Sequence, residues 1–166
     1  MHIKIALISD SHSYIDPKTL SYLQDVDEIW HAGDIGSLEV AQKLADFRPF
    51  RAVRGNIDGR EIRYEYPEQQ RFLCQGMDVL MIHIGGHPGR YAKGVRKLLR
   101  QEKPDIFICG HSHILRAEPD EKLGLIHLNP GACGRHGIHF EKTIMRFTIK
   151  DREMSQFQIC KLGPRA

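Results

Sequence analysis

Residues 106–113 read "IFICGHSH": a short apolar run ends at a glycine, and two histidines follow with one residue between them. Similar polar groups close other apolar runs. "SDSHS" brings Asp10 and His12, "GDIG" brings Asp34, and "GNID" brings Asn56 and Asp58. His83 ends "VLMIHI", and "NPGACG" follows "LIHL". Carboxylate, amide oxygen and imidazole together are the donors that borderline divalent metals such as Mn, Fe, Ni or Zn accept. No cysteine belongs to the set, which argues against a structural zinc site. Asp10, His12, Asp34, Asn56, His83, His111 and His113 exceed the needs of one tetrahedral ion. They suit two ions that share a carboxylate.

Such a set must be gathered by a scaffold, and the apolar pattern supplies one. Residues 3–9, 27–33, 50–55, 105–109 and 125–129 read as buried strands. Residues 70–84 read as two strands around a turn at Gln75-Gly76, and the tail as a hairpin turning at Asp151-Arg152. Helices are expected over 17–26, opening on Pro17, and over 38–47, capped by Ser37. A third is expected over 90–103, with Tyr91, Val95, Leu98 and Leu99 inward and Pro104 as its stop. In open α/β sheets the carboxyl ends of the strands form the ligand crevice. Six strand ends here deliver Asp, Asn, His or a glycine turn, almost all to that one edge. Loop residues serving only solvation would scatter over both edges. The glycines before Asp34, Asn56 and His111 fit turns where backbone must come close to the site.

D-x-H, then G-D, G-N-x-D, a lone His and G-H-x-H form an ordered series. Here it runs Asp10-Ser11-His12, Gly33-Asp34, Gly55-Asn56-Ile57-Asp58, His83 and Gly110-His111-Ser112-His113. In this it resembles the calcineurin-like metallophosphoesterases, and among them the small single-domain bacterial and archaeal phosphodiesterases. The resemblance implies an α/β fold, a two-sheet αββα sandwich with the metal site at the strand C-terminal ends. It implies one domain over residues 1–166 without a cap domain. It implies two divalent cations, Mn foremost and Fe, Ni or Zn as alternatives. Asp10, His12, Asp34 and His113 would hold the first, and Asp34, Asn56, His83 and His111 the second, with Asp34 bridging. The implied activity is hydrolysis of a small phosphodiester by a metal-bridging hydroxide.

Many relatives carry His in G-N-H-D, placed to protonate the leaving group. This chain has Ile57, which holds no proton to give, and Asp58 beside it is the carboxylate that could orient a histidine there. His87, in "IGGHPGRY", is the substitute donor by position. Asn56 and His87 are therefore the candidate catalytic groups, and Asn56, His87 and Arg90 the candidate substrate contacts. His31 and His127 sit in strand-like runs and read as core or edge residues; His2, His136 and His139 receive no role.

The rest of the composition bounds the setting. The net charge of +3 gives no case for a nucleic-acid or membrane partner, and no run is long enough to span a bilayer. Four scattered cysteines without a C-x-x-C suggest a reducing cytoplasm. A homo-oligomer is left open. Two rival readings are a metal-holding scaffold for protein contact, since a retromer subunit shares this resemblance, and a small metal-dependent nuclease. Degenerate ligands would favour the scaffold, and all seven are present.

Overall fold

In the computed structural model, which describes all 166 residues, two five-stranded sheets face each other. The first holds, in spatial order, β12 (Glu153–Pro164), β11 (Glu141–Lys150), β1 (His2–Ile8), β2 (Glu28–His31) and β3 (Phe50–Ala52). The second holds β4 (Gln69–Cys74), β5 (Met77–Ile82), β8 (Ile106–Ile108), β10 (Leu125–Pro130) and β9 (Leu115–Asp120). A two-residue hairpin pairs β6 (Gly86–His87) with β7 (Arg90–Tyr91).

Continuous apolar runs form the parallel strands because both of their faces are covered. In β1, Ile5 and Leu7 point between the sheets, where they meet Trp30, Val79, Met81, Ile108, Leu128 and Phe147. Ala6 and Ile8 point the other way, beneath α1 (Pro17–Tyr22), α2 (Leu38–Phe47) and α3 (Arg60–Glu65). Leu80 and Phe107 do the same in the second sheet, covered by Val95 and Leu99 of α4 (Val95–Glu102). The layers are thus helix, sheet, sheet, helix, as expected.

Strands β1, β2 and β3 run parallel, and so do β5, β8 and β10. Antiparallel strands occupy the flanks. All six parallel strands therefore end on one edge of the sandwich, and every motif loop leaves from there.

Some expected elements differ. The first helix stops at Tyr22 rather than residue 26, because Leu23 and Val26 turn inward and are buried. The helix expected over 90–103 begins only at Val95, since Gly94 takes φ +83 and Arg90–Tyr91 pair with Gly86–His87. The strand expected over 50–55 stops at Ala52. β9 and α3 were not expected. The β9 edge strand alternates with polar residues and contains Pro119, and α3 buries only Ile62. No helix is long and apolar enough to cross a membrane.

Candidate metal centre

Each presumed ligand sits on the loop just past a parallel strand. The first sheet contributes Asp10, His12, Asp34 and Asn56; the second contributes His83, His111 and His113. Their donor atoms converge across the seam in two groups, Asp10–His12–His113 and Asp34–His83–His111. Within each group the ligand atoms lie within 4.8 Å of one another. Asn56 Oδ1 joins the second, 3.1 Å from His83 Nε2 and 2.9 Å from His111 Nδ1.

Both carboxylates have one oxygen anchored and one presented. Asp10 Oδ2 accepts from Ser9 Oγ at 2.6 Å and from the His111 N–H at 3.1 Å. Its Oδ1 faces His113 Nε2 at 3.1 Å and His12 Nε2 at 3.8 Å. Asp34 Oδ1 accepts the Ile57 N–H at 3.0 Å. Its Oδ2 stands between the groups, 3.4 Å from His12 Nε2 and 3.2 Å from His83 Nε2.

The histidines point ring nitrogens at these oxygens. His83 Nδ1 lies 2.7 Å from the Ala32 carbonyl, which only accepts, so the ring's proton belongs on Nδ1. Its Nε2 then meets Asn56 Oδ1 and Asp34 Oδ2 with no hydrogen to place between them. His12 Nε2 is buried and has no hydrogen-bond partner. Acceptors facing acceptors in a buried site call for a shared positive charge. A divalent cation supplies it, and the donor set fits one.

Protons partly fill that need. The Asp10 and Asp34 carboxylates beside His12 push its pKa up to about 9. His83 also moves up: its burial opposes the charge, but the Asp34 hydrogen bond and the fields of Asp10 and Asp34 outweigh it. Burial would raise both aspartates, yet their histidine partners hold them well below the usual carboxylate range. Cation binding must displace such protons, so it is favoured as pH rises.

Three groups outside the ligand set fix the loops. Asp58, itself buried, accepts from the Gly55 N–H at 2.7 Å, the Gly36 N–H at 2.8 Å and the Ile35 N–H at 3.2 Å. That ties the third motif loop to the second. It also corrects the expectation that Asp58 could orient a histidine at position 57, because its oxygens are committed to backbone. His31 is a core residue, as expected, but not an idle one. The Gly33 N–H donates to its Nδ1 at 3.1 Å, leaving Nε2–H to donate to Ser11 Oγ at 2.9 Å. Burial pushes its pKa down to about 4, which keeps the ring neutral for that bridge. Asn129 Nδ2 donates to the Gly110 carbonyl at 3.0 Å and to Ser112 Oγ at 3.1 Å, holding the "GHSH" loop. His127 is also core; burial lowers its pKa to about 4.

The glycines do approach the site closely. A Cβ on Gly55 would lie 2.0 Å from Asp34 Oδ1, and one on Gly110 would lie 2.1 Å from Ser9 Oγ. Composition gave no hint of the backbone around them. Asp10, His12, Asp34, His111 and His113 all take positive φ, between 45° and 68°. Five of seven presumed ligands thus sit in the left-handed region, costing about 1–2 kcal/mol each. This yields an expectation for His111, at φ 68°. In metal-free protein, His111→Gly should be more stable than His111→Ala by about 1 kcal/mol, the reverse of the order inside a helix or strand. Urea denaturation of both variants measures it, and equal midpoints would mean the loop carries no such strain.

His87 and Arg90 stand apart from this convergence. His87 is half-buried and its Nδ1 lies 2.9 Å from the Pro88 carbonyl. Arg90 is exposed and lines a cavity with Tyr91, Arg96, Asp120 and Lys122. A different cavity, of about 240 Å³, opens beside Asn56 and His83 and is walled in part by Arg54 and Arg63. Two histidines without an expected role do reach the centre. His136 stacks on His12 with centroids 5.0 Å apart, and His139 lies against His113. Their only sequence signal was proximity to the last strand-end loop.

Residues 3–152 match the family model described as the calcineurin-like phosphoesterase superfamily domain. A probable metallophosphoesterase of Methanothermobacter thermautotrophicus is 32% identical over 135 residues, covering 77% of this chain and 76% of that protein. Among solved structures, an archaeal phosphodiesterase superimposes with a TM-score of 0.75 at 20% identity, covering 96% of this chain and 99% of the other. A Vps29 variant from Entamoeba histolytica gives the same TM-score at 18% identity, with the same coverages of 96% and 99%. At these identities the two structures speak to the fold alone.

Proposed function

Because the chain belongs to the calcineurin-like phosphoesterase superfamily and is similar to a probable metallophosphoesterase, we propose that it hydrolyses a small phosphodiester using two divalent cations. Mn is the first candidate, with Fe, Ni and Zn as alternatives. Asp10, His12, Asp34 and His113 hold one ion; Asp34, Asn56, His83 and His111 hold the other. The observation that carries this reading is the convergence of ring nitrogens on Asp34 Oδ2, with His12 Nε2 3.4 Å and His83 Nε2 3.2 Å away. When bound, such a pair of ions lowers the pKa of water towards neutrality and offsets negative charge on the phosphoryl oxygens.

The chain's own residues set the rest. The buried hydrogen bonds to Asp10, Asp34 and His83 hold the ligands in place before substrate arrives, which lowers the reorganisation needed during reaction. Arg54 and Arg63, offset in part by Glu68 paired with Arg54 at 3.3 Å, leave the cavity beside Asn56 net positive, which suits an anionic ester. Four buried free thiols fit residence in a reducing cytoplasm. A metal-by-substrate panel, with diesters and monoesters side by side, tests the proposal. Turnover of diesters with a bound divalent ion supports it. Tight binding of two ions with no turnover of any ester would favour the scaffold instead.

Leaving-group dependence is the sharper expectation. Ile57 is half-exposed and offers no proton. The leaving oxygen then departs as an anion, and the barrier rises with the pKa of its alcohol. A placed general acid contributes about 10²–10⁴-fold. Aryl diesters should therefore be cleaved far better than alkyl diesters. Ile57→His has open space for its ring and should gain mainly on alkyl diesters. The gain should stay below the full range because Asp58 is not free to orient it. His87→Ala should lose mainly on alkyl diesters if His87 is the donor. A flat leaving-group plot, unchanged in both variants, would remove protonation from the mechanism.

A further inference from the structure

We infer that His139 is a positioning residue whose hydrogen bond to His113 fixes that ring's tautomer and so sets the cation affinity of the group containing Asp10, His12 and His113. The inference rests on the proposed role of His113 as a metal ligand.

The hydrogen bonds form a closed circuit through Asp10. The Gly134 N–H donates to the Asp10 carbonyl at 3.2 Å. The Gly134 carbonyl lies 2.9 Å from His139 Nε2. A carbonyl only accepts, so Nε2 carries the proton of a neutral ring and Nδ1 keeps a lone pair. That lone pair faces His113 Nδ1 at 3.1 Å. His113 must therefore donate from Nδ1, which turns the Nε2 lone pair towards Asp10 Oδ1, 3.1 Å away. The circuit ends on the residue where it began, with a nitrogen ready to bind a cation.

The surroundings hold this arrangement in place. Gly137 lies so close that a Cβ there would be 2.3 Å from His113 Nδ1. On the far side, Arg165 Nε donates to the His139 carbonyl and Arg165 N–H to the Phe140 carbonyl, both at 2.9 Å. The ring planes are inclined at 77° with centroids 5.0 Å apart, and the two rings meet through their Nδ1 atoms, 3.1 Å from each other. Metal-binding histidines need a partner on the other ring nitrogen, and losing it costs about 10–100-fold in affinity. Here that partner is an imidazole, itself fixed by backbone.

The test is calorimetric titration of Mn²⁺ into metal-free protein, with His139→Leu, His139→Asn and His113→Ala beside the natural chain. His139→Leu should weaken one of two sites by about 10–100-fold and leave the other unchanged. His139→Asn should recover much of the loss, because its Oδ1 can accept where Nδ1 did. Long-range ¹H–¹⁵N spectra of zinc-loaded natural protein should show the His113 proton on Nδ1 alone. Full affinity at both sites in His139→Leu overturns the inference. So does a His113 proton on Nε2 in the natural chain, a result that needs no variant to fold. Unchanged affinity in His113→Ala would instead strike the ligand assignment beneath it, so the two failures are told apart.

Discussion

Protein stripped by chelator should lose its phosphoesterase activity by about a thousandfold or more, and Mn²⁺ should restore it. The reason lies in how little the polypeptide offers for the reaction by itself. Asp10 and Asp34 are held ionised by their histidine partners and repel an anionic ester. His12, with its pKa pushed up to about 9, carries a proton that those carboxylates retain. No serine or cysteine with a free basic partner stands in the cluster. Ser9 and Ser112 are hydrogen-bonded into the scaffold, and Cys109, just before the "GHSH" loop, has its thiol pushed up to about 12 by burial. Activating water would be left to bound divalent cations. Elemental analysis must verify the stripped sample. Undiminished turnover in a verified metal-free preparation would remove the metal from the reaction.

Asp34→Asn should be nearly as damaging, by about a thousandfold, while Asn56→Ala should cost about 10–100-fold. The substitution at Asp34 keeps the shape and removes a charge, but its orientation makes it worse than neutral. The Ile57 N–H donates to Oδ1 at 3.0 Å, so the amide oxygen of the variant must stay there. Its NH₂ group then points at His12 and His83, placing two hydrogens where a cation belongs. Both ions of the proposed pair would be affected because that atom faces both groups. Asn56→Ala removes one neutral oxygen from the second group alone. Metal stoichiometry measured with activity separates the cases: Asp34→Asn should lower occupancy at both sites. Equal, mild losses in the two variants would show that Asp34 is not shared.

Much of this was legible in the sequence, for identifiable reasons. The candidate ligands declare themselves by residue type, and parallel strands by unbroken apolar runs such as Ile5–Ile8 and Ile106–Ile108. Together they place chemistry at strand ends without any knowledge of packing. What stayed hidden lacks such marks. His136 and His139 lie in a loop with no period, and only the backbone path brings them to His12 and His113. The positive φ of Asp10, His12, Asp34, His111 and His113 is set by tertiary demands on side-chain direction, and histidine carries no compositional sign of it. Asp58 looked available because adjacency to Ile57 is visible in sequence, whereas three backbone N–H donors from other positions are not. The helix over 90–103 overreached because its apolar spacing continued through Gly94, where the backbone turns the other way.

The seam between the sheets gives the centre a second role, as a clasp. Each group of donors takes at least one side chain from either sheet, so each ion would act as a further cross-link between two layers already joined there by hydrogen bonds such as His111 N–H to Asp10 Oδ2 and Gly134 N–H to the Asp10 carbonyl. With ions bound, parting the layers at the motif edge would require tearing metal–ligand bonds as well as those hydrogen bonds. Free divalent ion then stabilises the fold by RT ln(1 + [L]/Kd), about 2.7 kcal/mol at a hundred times Kd. The protein's lifetime in a cell would follow the cell's metal supply, so a shortage that idles the site would also open the sandwich to proteolysis, from the same edge.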